Sequence, residues 1–311
     1  MDNWDLIIIG AGAAGLAAGI YGARSGLKTL ILEEKMAGGT TSDAPLVENY
    51  PGFASVTGGE LTQKMVAHCR KTGANIREFE RVVSLNLKDE KKTVKTNKAT
   101  YEAKAVIIAS GSHYREINVP GEKEFRGKGV SYCGVCDGPF FKGKRVLIVG
   151  GGNTALITAL YLADVADEVT LAHRRDAFRA EETLANAAKE KANMEILWNT
   201  EVKEIKGDKL VSKVILFENK TGKTREMAVH GVFIQIGETP NSQTAKEAGV
   251  ETDADEYVKV DSRQRTNIPG VYAAGDVTNH PVKQIGVAVG QGITAALEVY
   301  GYIRRPYYHK E

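Results

Sequence analysis

Leu6-Ile7-Ile8-Ile9-Gly10-Ala11-Gly12-Ala13-Ala14-Gly15 and Val146-Leu147-Ile148-Val149-Gly150-Gly151-Gly152-Asn153-Thr154-Ala155 decide the fold. The two stretches align without a gap at an offset of 140 residues. Each opens on aliphatic residues only, as a strand buried on both faces of a parallel sheet requires. Glycines follow, and then a helix start. The first glycine permits a tight turn, and the second lets the backbone approach a pyrophosphate. The third small residue lets helix and strand pack. The helix N-terminus offers free N–H groups and a partial positive charge to an anion. One GxGxxG carries little weight, because glycine turns are common in α/β chains. Two in register point to a repeated dinucleotide-binding unit.

A second apolar run follows each copy: Thr29-Leu30-Ile31-Leu32 and Val169-Thr170-Leu171-Ala172. The residues that close these runs differ. Glu33, with Glu34 as a substitute, ends the first, and His173-Arg174-Arg175 ends the second, with Arg179 four residues on. A carboxylate at that strand end accepts hydrogen bonds from a free ribose 2′-hydroxyl and repels a 2′-phosphate. Guanidinium groups favour a phosphomonoester through charge-assisted, often bidentate bonds. The first unit therefore suits FAD and the second NADPH. A solvated arginine surface is the plain alternative for the second cluster.

The length of 311 residues suggests two domains, each with its own core. Lys and Arg exceed Asp and Glu by only 41 to 39, which argues against a sequence-independent nucleic-acid binder. Two uncharged runs of 18 residues, Leu6 to Ala23 and Val146 to Ala163, reach the lower limit of a membrane span. Their glycine clusters fit strand, turn and helix better. The start Met1-Asp2-Asn3-Trp4-Asp5 is acidic where a secretory leader is basic, and three cysteines fit a reducing cytoplasm. The tail Arg304-Arg305-Pro306-Tyr307-Tyr308-His309-Lys310 reads as solvated.

Further strands place the domain limits. Val106-Ile107-Ile108-Ala109-Ser110-Gly111 is aliphatic and ends in glycine, as does Phe233-Ile234-Gln235-Ile236-Gly237. Gly270-Val271-Tyr272-Ala273-Ala274-Gly275-Asp276 adds a strand ending in a carboxylate. Thr93 to Ala109 reads as a β-hairpin. The expected fold is α/β, with two Rossmann-like domains and the second inserted into the first. The flavin domain would be 1–112 with 242–311, and the nicotinamide domain 113–241.

Ser131-Tyr132-Cys133-Gly134-Val135-Cys136-Asp137-Gly138 is the chemical centre of the chain. Two thiols three positions apart can close a small disulfide ring, and such pairs often have lowered pKa. An inert pair is one alternative. A zinc knuckle is another, but zinc needs four ligands, and only Cys69 and six scattered histidines remain. Cys69, in a predicted helix, reads as a packed thiol.

These motifs together resemble the low-molecular-weight thioredoxin reductases over essentially the whole chain. The resemblance rests on GAGAAG at 10–15, GG at 38–39, VENYPG at 47–52 and CGVCDG at 133–138. GGGNTA at 150–155, HRRDAFR at 173–179 and AAGDV at 273–277 complete it. It implies an NADPH-dependent flavoprotein that reduces thioredoxin or a thioredoxin-like protein and works as a homodimer. In this scheme Cys136 exchanges electrons with the flavin, Cys133 attacks the partner disulfide, and Asp137 relays the proton. A helix or turn cap is the plain alternative for Asp137. The FAD positions implied are Gly10, Gly12, Ala13, Ala14, Gly15, Glu33, Glu34, Gly39, Thr40, Asn49, Val82, Gly111, Gly275, Asp276, Lys283, Gln284 and Ile285. A helix cap is again the alternative for Asp276. The NADPH positions implied are Gly150, Gly152, Asn153, Thr154, His173, Arg174, Arg175, Arg179 and Gly237. No metal, nucleic acid or membrane is implied.

The chain departs from the family pattern at four places. Thr40 stands where Gln is usual, Lys283-Gln284-Ile285 replaces Arg-Gln-Ala, and Ala109-Ser110-Gly111 replaces Ala-Thr-Gly. Leu156-Ile157-Thr158 stands where the helix usually carries acidic residues, next to where the nicotinamide is expected. Rival readings are a reductase of a glutaredoxin-like or peroxiredoxin partner, a non-NADPH donor, and a flavin-binding redox sensor.

Overall fold

The computed structural model describes residues 3–44 and 46–304. The tail reading therefore lies, from residue 305 on, outside the described residues. The chain forms two compact units, Met1–His113 with Thr239–Glu311, and Tyr114–Glu238.

The first unit is built on the strand Asn3–Ile9. It lies between Thr29–Leu32 and Thr100–Ile108, parallel to both. Asn75–Arg77 extends the sheet beyond Thr29–Leu32. The long strand Thr100–Ile108 has two different partners on its other edge. Its first half pairs antiparallel with Lys92–Thr96, the expected hairpin. Its second half pairs parallel with Val271–Ala273. Alternation along Asn3–Ile9 divides the core, since successive side chains point to opposite faces. Leu6 and Ile8 pack with Leu16, Ala295 and Val299 of the helices Ala13–Arg24 and Ile285–Arg304. Ile7 packs on the other face with Leu30, Val106 and Val258. Both faces are covered, which explains the unbroken aliphatic run.

The second unit repeats this plan. Its five-stranded sheet is parallel throughout, with Arg145–Gly150 between Glu168–His173 and Gly231–Gln235. Val146 and Ile148 face the helix Asn153–Ala163, while Leu147 and Val149 face a separate antiparallel sheet. That sheet consists of Thr200–Gly207, Val211–Glu218 and Thr224–Ala228. Among the described residues, no helix is long and apolar enough to cross a membrane.

Candidate functional site

In the first unit, the turn after Asn3–Ile9 forms a cradle of backbone. Gly10 has φ +104°, and a Cβ there would lie 2.3 Å from the Ala109 carbonyl oxygen. Gly12 caps the next helix without a side-chain bond. The first helical bond runs from Leu16 N–H to the Gly12 carbonyl, so Ala13, Ala14 and Gly15 present N–H groups that have no acceptor within the helix. Gly39 (φ +60°) closes over this turn, and its Cβ would come within 2.9 Å of Gly12 Cα. A gap bounded by two bare glycines and a helix N-terminus fits a pyrophosphate. It does so without requiring a side chain.

Glu33 is tied to this cradle. Its carboxylate accepts from Ala11 N–H at 2.8 Å and from Lys35 N–H at 2.9 Å. Glu33 is half-buried and Glu34 exposed, so Glu33 is the carboxylate set against the turn. Other candidates fall into small groups. Asn49 Nδ2 donates to Gln284 Oε1 at 3.2 Å. Lys283 Nζ donates to the Asp276 carbonyl at 3.1 Å and the Thr278 carbonyl at 2.6 Å. Gly275 meets the first helix, since its Cβ would lie 2.9 Å from Ala14 Cβ. Thr40 is exposed on a short helix, Gly39–Asp43. Val82 and Ile285 pack partly into the core, and Gly111 has φ +68° with open space beside it. Asp276 lies in a turn, with the next helix starting at Ile285, so it does not cap that helix.

In the second unit, the three glycines have three different environments. A Cβ at Gly150 would meet the Gln235 carbonyl oxygen at 2.3 Å. At Gly151 it would meet the His173 ring at 2.2 Å, and at Gly152 it would meet nothing within 4 Å. Gly152 therefore opens the helix N-terminus to a ligand, and the exposed Thr154 lies in the first turn. His173 is buried, its Nε2 lies 3.0 Å from the Ala177 carbonyl, and it packs with Phe178 and Trp198. Burial lowers its pKa, with the nearby arginines adding to the effect. It thus supports the loop from inside, while Arg174, Arg175 and Arg179 are exposed on it. The loop returns over the turn through Arg179 N–H to the Gly151 carbonyl, 2.8 Å. Asp176, the acid among these arginines, is engaged by Lys220 at 3.2 Å. The Asn153 side chain is committed to Glu181 by two reciprocal bonds of 2.9 Å, a tie with no motif in the sequence. Gly237 (φ +105°) accepts from Arg115 N–H at 3.0 Å.

Cys133 and Cys136 form a disulfide with Cα atoms 5.3 Å apart. They belong to the same unit as the second glycine turn. The short helix Gly134–Asp137 rests on Asn153–Ala163, and both motif glycines are contact points. A Cβ at Gly134 would lie 2.5 Å from Thr158 Cγ2, and one at Gly138 would lie 2.6 Å from the Tyr161 ring. Thr158 thus packs under the redox turn, while Ile157 beside it is 53% exposed. Cys136 N–H donates to Cys133 Sγ at 3.2 Å. Burial raises the Asp137 pKa, and a hydrogen bond from Ser131 partly offsets this. Asp137 precedes the next short helix without making a capping bond. Cys69 is fully buried, its thiol pushed up to about 11 by burial, which is the packed role expected of it.

A model of the pyridine nucleotide-disulphide oxidoreductases matches residues 4–292. The thioredoxin reductase of Bacillus subtilis is 43% identical over 301 residues, covering 96% of this chain and 95% of that protein. The crystal structure of thioredoxin reductase from Streptococcus pyogenes matches with a TM-score of 0.94 and 40% identity, over 98% of this chain and 99% of that one. Thioredoxin reductase from Giardia duodenalis matches at 0.93 with 34% identity, over 98% of this chain and 100% of that one. Two glycine turns, a cysteine pair in the second unit and full-length similarity lead to one conclusion: the chain belongs to the pyridine nucleotide-disulphide oxidoreductase family, in its thioredoxin reductase branch.

Proposed function

We propose that this flavoprotein carries an electron pair from NADPH to the disulfide of thioredoxin through Cys133 and Cys136. The observation that carries this reading is the disulfide in the same unit as the glycine turn flanked by Arg174, Arg175 and Arg179. In our reading, FAD is held by the Gly10–Gly15 turn and Glu33, and NADPH by the Gly150–Ala155 turn and the arginine loop. Bound together, these cofactors supply the electron pair that opens the disulfide.

The chain's own groups account for the remaining chemistry. Cys133 Sγ, which accepts the Cys136 N–H, is the sulfur better placed to hold negative charge once the disulfide opens. We assign it the attack on the partner disulfide. Cys136 then resolves the mixed disulfide, and the ring re-forms. Asp137 is the proton carrier, since burial lets it keep a proton higher in pH than an exposed carboxyl, and departing thiolates need one. The net change oxidises NADPH to NADP+ and converts the partner disulfide, with one added proton, to a dithiol. The low cysteine count supports work in a reducing cytoplasm. Exposed Leu297 and Tyr302 on the last helix offer surface for a homodimer.

The test is reduction of a thioredoxin disulfide with NADPH or NADH, following flavin absorbance. We expect bleaching and turnover with NADPH, weak response to NADH, and no turnover in Cys133→Ser or Cys136→Ser. Turnover retained in both variants would refute the reading.

A further inference from the structure

The strand Gly231–Gln235 pairs with Val130–Ser131 at only two positions, Val232 with Val130 and Phe233 with Ser131. Beyond Ser131 the chain leaves the sheet to make the redox turn, and the Tyr132 carbonyl loses its place in the ladder. A buried carbonyl without a donor is costly. Gln235, itself buried, supplies that donor: its Nε2 bonds the Tyr132 oxygen at 2.8 Å. The amide thus continues the pairing where backbone no longer can. The same residue is in register with Gly150, and its own carbonyl closes the space beside that glycine. Around it, the Tyr132 hydroxyl donates to buried Glu122 at 2.8 Å, and its ring stacks on Tyr114 at 5.2 Å. Cys133 N–H donates to Ser131 Oγ at 3.1 Å.

We infer that Gln235 is a positioning residue for the redox pair, holding the backbone just before Cys133 so that its sulfur stays in reach of Cys136 when the disulfide is open. This rests on reading Cys133 and Cys136 as the working disulfide. Once the S–S bond is reduced, only non-covalent ties keep the sulfurs together. Their effective concentration then sets how readily the ring re-forms. Gln235 raises that concentration in the dithiol state. It touches no reacting atom.

The experiment equilibrates the holoenzyme with buffers of reduced and oxidised dithiothreitol. Reduced dithiothreitol gives up two electrons and two protons and closes its own ring; Cys133 and Cys136 take them up as two thiols. Alkylation and mass spectrometry then count dithiol against disulfide. In Gln235→Met, which keeps length but not the donor, the equilibrium should move toward dithiol by about three- to tenfold, the worth of one hydrogen bond. In Gln235→Glu the shift should be small wherever burial keeps the carboxyl protonated and donating, and should grow as pH rises and the carboxylate ionises. If Gln235→Met does not fold, the Gln235→Glu series carries the test alone. Unchanged equilibria in the folded variants, including a lower Tm with no change in equilibrium, would overturn the inference. A wild-type protein whose cysteine pair is not reduced by NADPH would instead overturn the functional reading.

Discussion

Gly10→Ala tests whether the first glycine turn is dictated by geometry. The added Cβ would lie 2.3 Å from the Ala109 oxygen and 2.8 Å from its carbon, where ordinary contact begins at 3.4 Å. Both obstacles are backbone, so no side chain can swing aside. The strand ends must separate by about 1 Å, and two bonds of 2.8 Å oppose this: Ala109 N–H to the Ile9 carbonyl and Gly10 N–H to the Leu32 carbonyl. At φ +104° alanine also carries a backbone penalty of about 1–2 kcal/mol. Forced overpacking adds about 1–3 kcal/mol. The sum, about 2–5 kcal/mol, is a large share of a typical stability of about 5–15 kcal/mol. Gly26→Ala is the control, because Gly26 also has positive φ (+75°) but its Cβ would meet nothing within 4 Å. It should lose only the backbone share, about 1–2 kcal/mol. The assay is urea unfolding of both variants, with flavin per chain measured after gel filtration. Gly10→Ala should lose both stability and flavin, and Gly26→Ala should keep its flavin. If Gly10→Ala retains flavin and unfolds at the same midpoint as Gly26→Ala, the cradle argument fails.

Three further outcomes follow from the second unit. Replacing Arg174 or Arg175 by Ala should raise KM for NADPH by about tenfold each and leave KM for NADH unchanged, because only the 2′-phosphate loses a charge-assisted bond; equal effects on both nucleotides would count against the assignment. Gly151→Ala should reproduce that loss indirectly, since its Cβ would strike the His173 ring at 2.2 Å and displace the arginine loop; unaltered NADPH preference would show that the loop tolerates the shift. For Asp137, the raised pKa means the protonated form stabilises the fold fully below the ordinary 3.8, and this stability is lost as pH rises through the raised value. Asp137→Asn should therefore melt higher than wild type near neutral pH, match it at low pH, and turn over about a hundredfold more slowly; a variant equally stable at all pH values would remove the burial argument.

Much of the site was legible because its chemistry is local. Gly10, Gly12 and Gly15 shape one turn through backbone packing alone, so their spacing is readable in the sequence. The same holds for Cys133 and Cys136, which need only three positions to close a ring. His173 was legible as a strand-end residue but not as a buried one, because burial depends on Phe178 and Trp198 folding around it. Glu181 gave no signal in the sequence. It matters through Asn153, 28 residues away, and only the returning loop brings them together. Gln235 bonds Tyr132 across 103 residues, and nothing in either neighbourhood marks the pair.

The sequence by itself determined the α/β fold class, the two glycine turns and the closely spaced cysteine pair. Each of these depends on short-range periodicity or on residue types a few positions apart. The tertiary structure decided which groups are exposed and what holds them. It put Glu33 on the Ala11 N–H, turned His173 inward while leaving the arginines out, half-buried Asp137, and set Gly134 on Thr158. Burial and side-chain partnership arise from segments distant in sequence packing at close to crystal density, so no local pattern encodes them.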